Sequence, residues 1–245
     1  MTTSSIFSKI ILGAATLLSL GATNSFGQTT PKHKAYLSTG IDGYLLSTAL
    51  VSKGGGDTKL TTPRFTVFLN LGLNLNYDFN DHFGFYTGLN IKNIGFIEKS
   101  GDVTIKHRDY TFGLPLGLKI GSLAYGSYFL VGGGIDFPFN YREKTFTKRN
   151  DKAKFNEWFS DRTPAAMGYV FVGAHLNPGI ALKLQYYPGN FMNPDFTETI
   201  SGVTYKPYDG YKVNLLVLSL GIDIPYRPKD DVKNIKDAVQ QAQEM

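Results

Sequence analysis

The chain has 245 residues, of which 42% are hydrophobic and 14% aromatic, and it contains no cysteine. The missing cysteines exclude disulfides, thiolate metal sites, a cysteine nucleophile and a lipidated N-terminal cysteine. The formal net charge of +5 is too small to predict nucleic-acid binding.

The N-terminal residues 1–27 are predicted to be a secretory signal peptide. Lys9 supplies the positive charge, and residues 10–20 form an apolar stretch about half as long as a membrane-spanning helix requires. Ser25 and Gly27 are the small residues expected before a cleavage site. A short buried helix is the alternative reading, but the segment as a whole predicts export.

The rest of the chain reads as eight β-strands, each rich in β-branched, aromatic or glycine residues and bounded by turn residues. All eight belong to a predicted barrel domain over residues 28–228. The strands are expected near 34–49, 64–79, 83–98, 106–121, 128–142, 165–176, 180–188 and 211–226.

The second strand, residues 64–79, shows the alternation most clearly. Its odd-numbered residues from Phe65 to Phe79 are all apolar, whereas the even-numbered residues are mostly Asn, Thr, Gly and Asp, with Phe68 as the exception. Soluble strands usually end after about five or six residues. Sixteen residues tilted near 45° rise about 35 Å, which is enough to cross the apolar band of an outer membrane, about 25 Å tall.

The connections between these strands alternate between long and short. Tight turns are predicted at 80–82, 122–127 and 177–179, and longer polar loops elsewhere, including EKSGDVTI. This asymmetry is typical of outer-membrane barrels, where short turns are periplasmic and long loops extracellular. The sequence therefore predicts an all-β fold: an eight-stranded antiparallel up-and-down transmembrane β-barrel.

The chain resembles small outer-membrane β-barrel proteins of the porin-like or PorT-like family. The resemblance rests on FLNLGLNLNYDFNDHFGFYTGLNI, YTFGLPLGLKIG, FLVGGGIDFPFNY and VFVGAHLNPGIALKLQYYPGNF, and it covers nearly all of the mature chain. It implies the barrel architecture and, by analogy, a role in secretion or surface assembly.

One departure from such barrels is that the predicted last strand does not end the chain. Similar barrels often end on an aromatic residue, whereas Tyr226 is followed by a polar tail. Residues 229–245 are predicted to form a short periplasmic helix, because Val232, Ile235 and Val239 fall on one helical face.

Charged residues fall on the predicted inward faces of the strands, and a soluble core would reject them. Lysine and aspartate are almost never fully buried unless they are paired. We therefore expect an ion network across a lumen filled with side chains, formed by Asp42, Asp78, Lys92, Lys119, Asp136, His175, Lys183 and Asp223. The last strand fits less well, because Val213, Leu215 and Val217 would also face inward; a bulge or an apolar lumen patch would explain them.

The loop at 140–162 is the candidate binding segment. It carries a cationic surplus, and Phe155, Trp158 and Phe159 lie at helical spacing after Asn150, which predicts a short amphipathic helix on the outer rim. Arginine suits phosphate and tryptophan suits the membrane interface. The candidate binding residues are Arg142, Lys144, Lys148, Arg149 and Trp158; a solvated loop folded onto its own rim is the alternative.

No catalytic, cofactor-binding or metal-binding residue is predicted. The sequence lacks Gly-x-Ser-x-Gly and His-Glu-x-x-His motifs, and among its four histidines only His175 is placed well inside a strand. The predicted function is that of a non-enzymatic, monomeric outer-membrane barrel in a Gram-negative-type bacterium, in contact with outer-membrane lipid and with a possible extracellular or periplasmic protein partner. The alternatives are an outer-membrane enzyme that modifies lipid and a soluble, lipocalin-like periplasmic carrier.

Overall fold

The computed structural model describes residues 34–67, 70–147, 152–177 and 179–226. The predicted signal peptide and C-terminal helix lie outside these residues and remain predictions. Within the described ranges no helix is long and apolar enough to cross a membrane.

The described residues form thirteen β-strands, and the predicted strands match the long ones closely. β3 and β4 together correspond to the predicted second strand. The bounds are β1 Lys34–Lys53, β2 Lys59–Leu60, β3 Arg64–Val67, β4 Leu71–Asp78, β5 Phe83–Ser100, β6 Val103–Ser122, β7 Ser127–Phe146, β8 Lys152–Trp158, β9 Met167–Leu176, β10 Ile180–Tyr187, β11 Glu198–Ile200, β12 Val203–Tyr205 and β13 Tyr211–Tyr226.

Eight positions close into an antiparallel ring. Their order is β1, β3 with β4, β5, β6, β7, β9, β10 and β13, so each strand pairs with its neighbours along the chain. The ring closes where β13 pairs with β1, from Leu37 opposite Tyr226 to Lys53 opposite Tyr211. This topology confirms the predicted eight-stranded up-and-down barrel.

The two ends of the barrel differ in their connections. Residues 79–82, 123–126 and 177–179 connect strands at one end, called the turn end, where β1 begins and β13 ends. The opposite end, called the loop end, carries the segments 147–166 and 188–210. The prediction of a long loop at EKSGDVTI was wrong, since β5 and β6 continue pairing up to Ser100 opposite Val103 and leave only two residues for the turn.

The predicted helix in the 140–162 loop was also wrong, because this segment forms β8. From Asn140 opposite Trp158 to Phe146 opposite Lys152, β8 pairs with the half of β7 that rises past β9. That half of β7 would otherwise present an unpaired edge, and β8 satisfies its backbone groups. Strands β5 to β8 therefore form a sheet that extends beyond the loop end of the ring.

The outward face of the ring is exposed and apolar. Every outward position between two aromatic clusters is uncharged on the described strands, and all eight positions of the ring contribute apolar side chains. This apolar belt consists of Ile41, Leu71, Leu73, Leu89, Ile91, Leu114, Leu116, Leu118, Ile120, Val131, Ile135, Val170, Val172, Leu182, Leu184, Leu218, Leu220 and Ile222.

Aromatic clusters border the belt at both ends. Tyr77, Phe79 and Phe85 pack together at the turn end, with ring centroids 5.3 to 5.7 Å apart. At the loop end, Phe139 packs 4.5 Å from Phe112, 6.3 Å from Tyr110 and 5.9 Å from Trp158. On β6, the span from Tyr110 to Ile120 measures about 33 Å of strand, or about 25 Å along the axis of a barrel with strands tilted near 40°.

Candidate functional site

The inside of the barrel holds buried charges, and the first group of them surrounds Lys92 on β5. The Lys92 side chain is 3% exposed, and its ammonium lies 2.9 Å from Oδ2 of Asp136, which is fully buried on β7. It also donates to Gln185 Oε1 and to the Tyr187 hydroxyl, both at 3.2 Å. The Tyr187 hydroxyl donates in turn to Asp136 Oδ2 at 2.6 Å, and the Tyr169 ring lies 3.9 Å from the Lys92 Nζ. Five side chains from four strands thus join across the lumen.

A second group surrounds Lys119, nearer the turn end. The Lys119 side chain is 1% exposed and pairs with Asp78 on β4. Its ammonium also donates to the Tyr36 hydroxyl at 3.0 Å and to Asn76 Oδ1 at 3.2 Å, and Asn76 donates to Ser38. The desolvation of each lysine is therefore offset by a carboxylate and by further acceptors, as a buried charge requires.

The other predicted lumen residues whose side chains the structure describes lie in the same half of the barrel. His175 stacks on Tyr128 with ring centroids 4.6 Å apart and contacts the Gly126 carbonyl oxygen through Nδ1 at 2.7 Å. Its Nε2 lies 4.0 Å from Oδ2 of Asp223. Lys183 is half-buried and lines two small cavities. The side chain of Asp42 lies outside the described part of the structure.

Glycines on the inner face make room for the large side chains that cross the lumen. A Cβ at Gly117 would lie 2.5 Å from the Tyr86 ring and 2.8 Å from the Phe171 ring, and a Cβ at Gly134 would lie 2.5 Å from Tyr169. What remains of the described lumen includes two cavities of about 30 Å³ each. Each has room for only one or two water molecules.

Toward the loop end the lumen contains an apolar patch beside buried polar residues such as Arg64 and Asp109. Val213, Leu215 and Val217 on β13 are fully buried, with Ile94 and Phe96 of β5 in the same cluster. The register of β13 against β1 over this region is regular, with its one irregularity opposite residues 41–44. Of the two explanations left open by the sequence, the apolar lumen patch is therefore the observed one.

Side chains of the segment 188–197 pack against this apolar patch. Phe191 and Met192 are 1% and 0% exposed, and the Phe191 ring packs edge-on to Phe96 at 5.6 Å. Asn190 fixes the segment beside β13, because its Oδ1 accepts from the Val213 N–H at 2.8 Å and its Nδ2 donates to the Tyr211 carbonyl at 2.6 Å. The loop thus folds into the mouth of the barrel and closes it.

Arg162 holds the two long loops together above this closure. Its guanidinium lies 4.7 Å from the Phe155 ring and 4.6 Å from the Phe196 ring. It also donates to Glu198 Oε1 at 2.7 Å and to the Tyr208 hydroxyl at 3.2 Å. The hydrogen bond from Arg162 lowers the pKa of the Glu198 carboxyl, although partial desolvation opposes this shift.

The predicted binding residues of the loop are brought together only in part, and cations outside the predicted set join them. Arg142 and Lys144 lie on the outward face of β7, while Lys148 and Arg149 lie outside the described residues. Further cations share this face, among them Lys106 and Arg108 on β6 and Lys152 and Lys154 on β8. The signal was present in the sequence, since KHR, REK and KAK each place two cations two residues apart, as on one face of a strand.

Trp158 lies at the foot of this cationic face, 62% exposed and stacked on Phe139. His107, which sequence reasoning placed near a loop, is buried inside the upper lumen and contacts the Tyr141 hydroxyl at 2.7 Å. Burial lowers the pKa of His107, so the imidazole is neutral at neutral pH. No group of three or more histidine or carboxylate side chains among the described residues is arranged to hold a metal ion.

Comparison with known proteins gives structural likenesses only. No family model matches the chain, so the PorT-like resemblance finds no support there, and no curated protein matches. The structure is similar to Ail of Yersinia pestis in complex with the heparin analogue sucrose octasulfate, at 17% identity over 79% of this chain and 99% of that chain, with a TM-score of 0.31.

Two further likenesses are of the same kind. Neisserial surface protein A is 12% identical over 79% of this chain and 99% of its own, with a TM-score of 0.40. CarO of Acinetobacter baumannii is 11% identical over 74% of this chain and 97% of its own, with a TM-score of 0.31. At these identities and scores the likenesses add nothing to the fold that the strand register already establishes.

Proposed function

We propose that this protein is an integral outer-membrane barrel that performs no chemistry and acts as a monomeric binding protein through its loop end. The observation that carries the proposal is the inside-out distribution of side chains: an exposed apolar belt surrounds a lumen that holds Lys92, Lys119, Asp78 and Asp136. A water-soluble protein rarely exposes an apolar surface that encircles it completely. A lipid environment stabilises this arrangement because the belt then faces hydrocarbon.

The dimensions of the belt support the same proposal. Its height of about 25 Å equals the apolar band of outer-membrane barrels, and aromatic clusters border such bands at both interfaces. The turn end, with its short connections, then faces the periplasm. The loop end, with the sheet of β5 to β8 and the folded segment 188–197, faces the outside.

The contents of the barrel favour a binding surface over transport or carriage. Eight strands leave an interior that side chains can fill, and here Tyr86, Tyr169, Phe171 and Tyr187 cross it. A lipocalin-like carrier needs an empty apolar cavity for its ligand. We therefore place the binding function on the outer surface of the loop end.

Fractionation combined with an unheated gel tests the proposal. The full-length chain, expressed with its predicted signal peptide in a Gram-negative host, should pellet with outer membranes and resist extraction by urea. It should also migrate differently before and after boiling, because a closed barrel keeps its structure in detergent until it is heated. Recovery in the soluble periplasmic fraction, alongside a soluble marker protein, would contradict the proposal.

A further inference from the structure

Two adjacent rows on the outward face of the protruding sheet carry a grid of five cations. Lys106 on β6 lies directly opposite Lys144 on β7, which lies opposite Lys154 on β8. In the adjacent row, Arg108 lies opposite Arg142. Neighbouring strands are about 4.8 Å apart and successive residues on one face about 7 Å apart. Five positive charges therefore share a patch only two residues tall and three strands wide.

This arrangement is unfavourable without a counter-charge. Like charges directly opposite each other destabilise a strand pair, and the nearby cations, Arg108 first among them, together with slight desolvation lower the pKa of Lys144. Among the described residues, none of the five pairs with a carboxylate. The carboxylates of these strands, such as Glu143, alternate onto the opposite face of the sheet.

The side chains that contact the cations of the grid are uncharged. Arg142 donates to Asn156 Oδ1 at 2.7 Å, and its guanidinium lies 5.5 Å from the Tyr110 ring. The Lys106 ammonium lies 5.0 Å from the Phe146 ring. These partners are neutral, so they orient the cations without neutralising them. The charge remains available to an external anion.

The location of the grid indicates which anion it meets. Burial alternates without interruption from Lys106 to Ile120 on β6, so Lys106 and Arg108 point to the same side as Phe112 and Leu116 of the apolar belt. Tyr110 and the loop-end aromatic cluster lie between the belt and the grid. The grid therefore faces sideways, at the height where lipid headgroups begin once the belt is embedded in hydrocarbon.

We propose that this cationic grid, formed by Lys106, Arg108, Arg142, Lys144 and Lys154, binds the phosphate groups of anionic lipid in the outer leaflet. The inference rests on the proposed function, because only membrane insertion brings lipid phosphates to this height. Arginine binds phosphate oxygens through two parallel hydrogen bonds, and lysine supplies compact positive charges beside it. The aromatic row below then packs against the upper part of the acyl chains of the same lipids.

Trp158, the single tryptophan of the chain, allows a direct test because it lies beside the grid. The protein without its predicted signal peptide is refolded into phosphatidylcholine vesicles. These vesicles contain a small fraction of lipid with a nitroxide near the headgroup. The labelled lipid is either phosphatidic acid or phosphatidylcholine. Trp158 fluorescence should be quenched about tenfold more effectively, per labelled molecule, by the anionic lipid, given the usual contribution of several basic residues at a membrane surface.

The test variant replaces one row: Lys106→Gln, Lys144→Gln and Lys154→Gln together. The matched control removes the same charge elsewhere, with Lys59→Gln, Lys206→Gln and Lys212→Gln, which are all exposed. The row variant should quench nearly equally with both lipids, while the control should keep the wild-type preference. If the row variant does not fold, Lys144→Gln alone should reduce the preference at least twofold, and added salt should reduce it in the wild type.

The outcomes separate this inference from the proposed function. Failure of the wild-type protein to insert into vesicles overturns the proposed function itself. Insertion with equal quenching by both lipids, or a preference that the row variant retains, overturns the grid as a lipid site. Binding of soluble inositol hexakisphosphate by the wild type but not the row variant, without any lipid preference, would assign the grid to a soluble polyanion and would also overturn the proposal.

Discussion

The two halves of the barrel interior are completed in different ways. Near the turn end, Lys119 and Asp78, and in the middle Lys92 and Asp136, are surrounded by tyrosine and amide groups supplied by the strands. Near the loop end, the strands supply aliphatic side chains, and the segment 188–197 adds Phe191 and Met192. The polar half, with its two ion pairs, is complete within the ring, whereas the apolar patch of the other half needs a loop to complete it.

We expect the two halves to respond differently to mutation. A buried ion pair fixes its own strands, and removal of one partner leaves a buried charge without its counter-charge. An apolar patch covered by a loop can lose the loop while the ring survives. The predictions below follow from this contrast, beginning with the largest expected effect.

Asp136→Ala should destabilise the barrel most. It leaves the Lys92 ammonium buried without its carboxylate and removes the acceptor of the Tyr187 hydroxyl, which typically costs about 3 to 5 kcal/mol. Urea titration of refolding in lipid vesicles, read by gel migration, measures the loss. The double variant Lys92→Met with Asp136→Leu should recover most of the stability, and equal losses in the single and double variants would show that the pair contributes no specific compensation.

Phe191→Ala should cost less than the roughly 3 to 5 kcal/mol typical of a buried phenylalanine, although Phe191 is as buried as the charged residues. The loss is limited by the free energy of docking the loop, because the ring can persist with the segment 188–197 released. Limited proteolysis should therefore cut the variant near residue 190 while the unheated barrel still migrates as folded. The exposed neighbour Gly189→Ala is the control, and loss of the folded band in Phe191→Ala would contradict the limit.

Acidification should release the loops with a smaller effect. Because Arg162 depresses the pKa of Glu198 in the folded state, the stabilisation is present above the ordinary glutamate pKa of 4.5 and is lost as the pH falls through the lower folded value. Proteolysis of the 188–210 loop by an acid-active protease should therefore accelerate below about pH 4. Glu198→Gln should show rapid cleavage already at pH 7, with little further change on acidification.

The smallest expected effect concerns conductance. Deletion of the residues that fold into the mouth should not create a pore, because the polar half closes the lumen independently of the loops. Wild-type protein in planar bilayers should show no stable ohmic steps of the size that general porins give, and a variant lacking 189–194 should behave similarly. Large, reproducible steps in either protein would show that the lumen is an open channel.

Predictions from the sequence were most successful where apolar and polar side chains alternate within a single strand. The alternation in 64–79 and along β6 predicts both the strands and their outward sides, because lipid-facing positions need no distant partner to be recognised. It failed for β8, because Phe155, Trp158 and Phe159 fit a helical face as well as they fit the end of a strand. Pairing with the otherwise unpaired half of β7 selects the strand over the helix, and the sequence of β8 alone does not show this pairing.

The same reason explains what was left open in the lumen. Val213, Leu215 and Val217 could not be interpreted from β13 alone, since Phe191 and Met192 arrive from a loop whose path has no local signal. The lysine and aspartate residues were recognised as inward-facing, but which lysine meets which aspartate depends on strand stagger. The cationic grid likewise depends on the register of three strands.

The central claim is that the apolar belt faces lipid and the polar side chains face a closed interior. Tryptophan placed on each side tests it directly, in a Trp158→Phe background, by quenching with lipids brominated on their acyl chains. Leu116→Trp, at a position 62% exposed in the middle of the belt, should be quenched strongly, whereas Phe171→Trp, at a position 4% exposed inside, should not. Equal quenching at both positions, or stronger quenching at residue 171, would contradict the account.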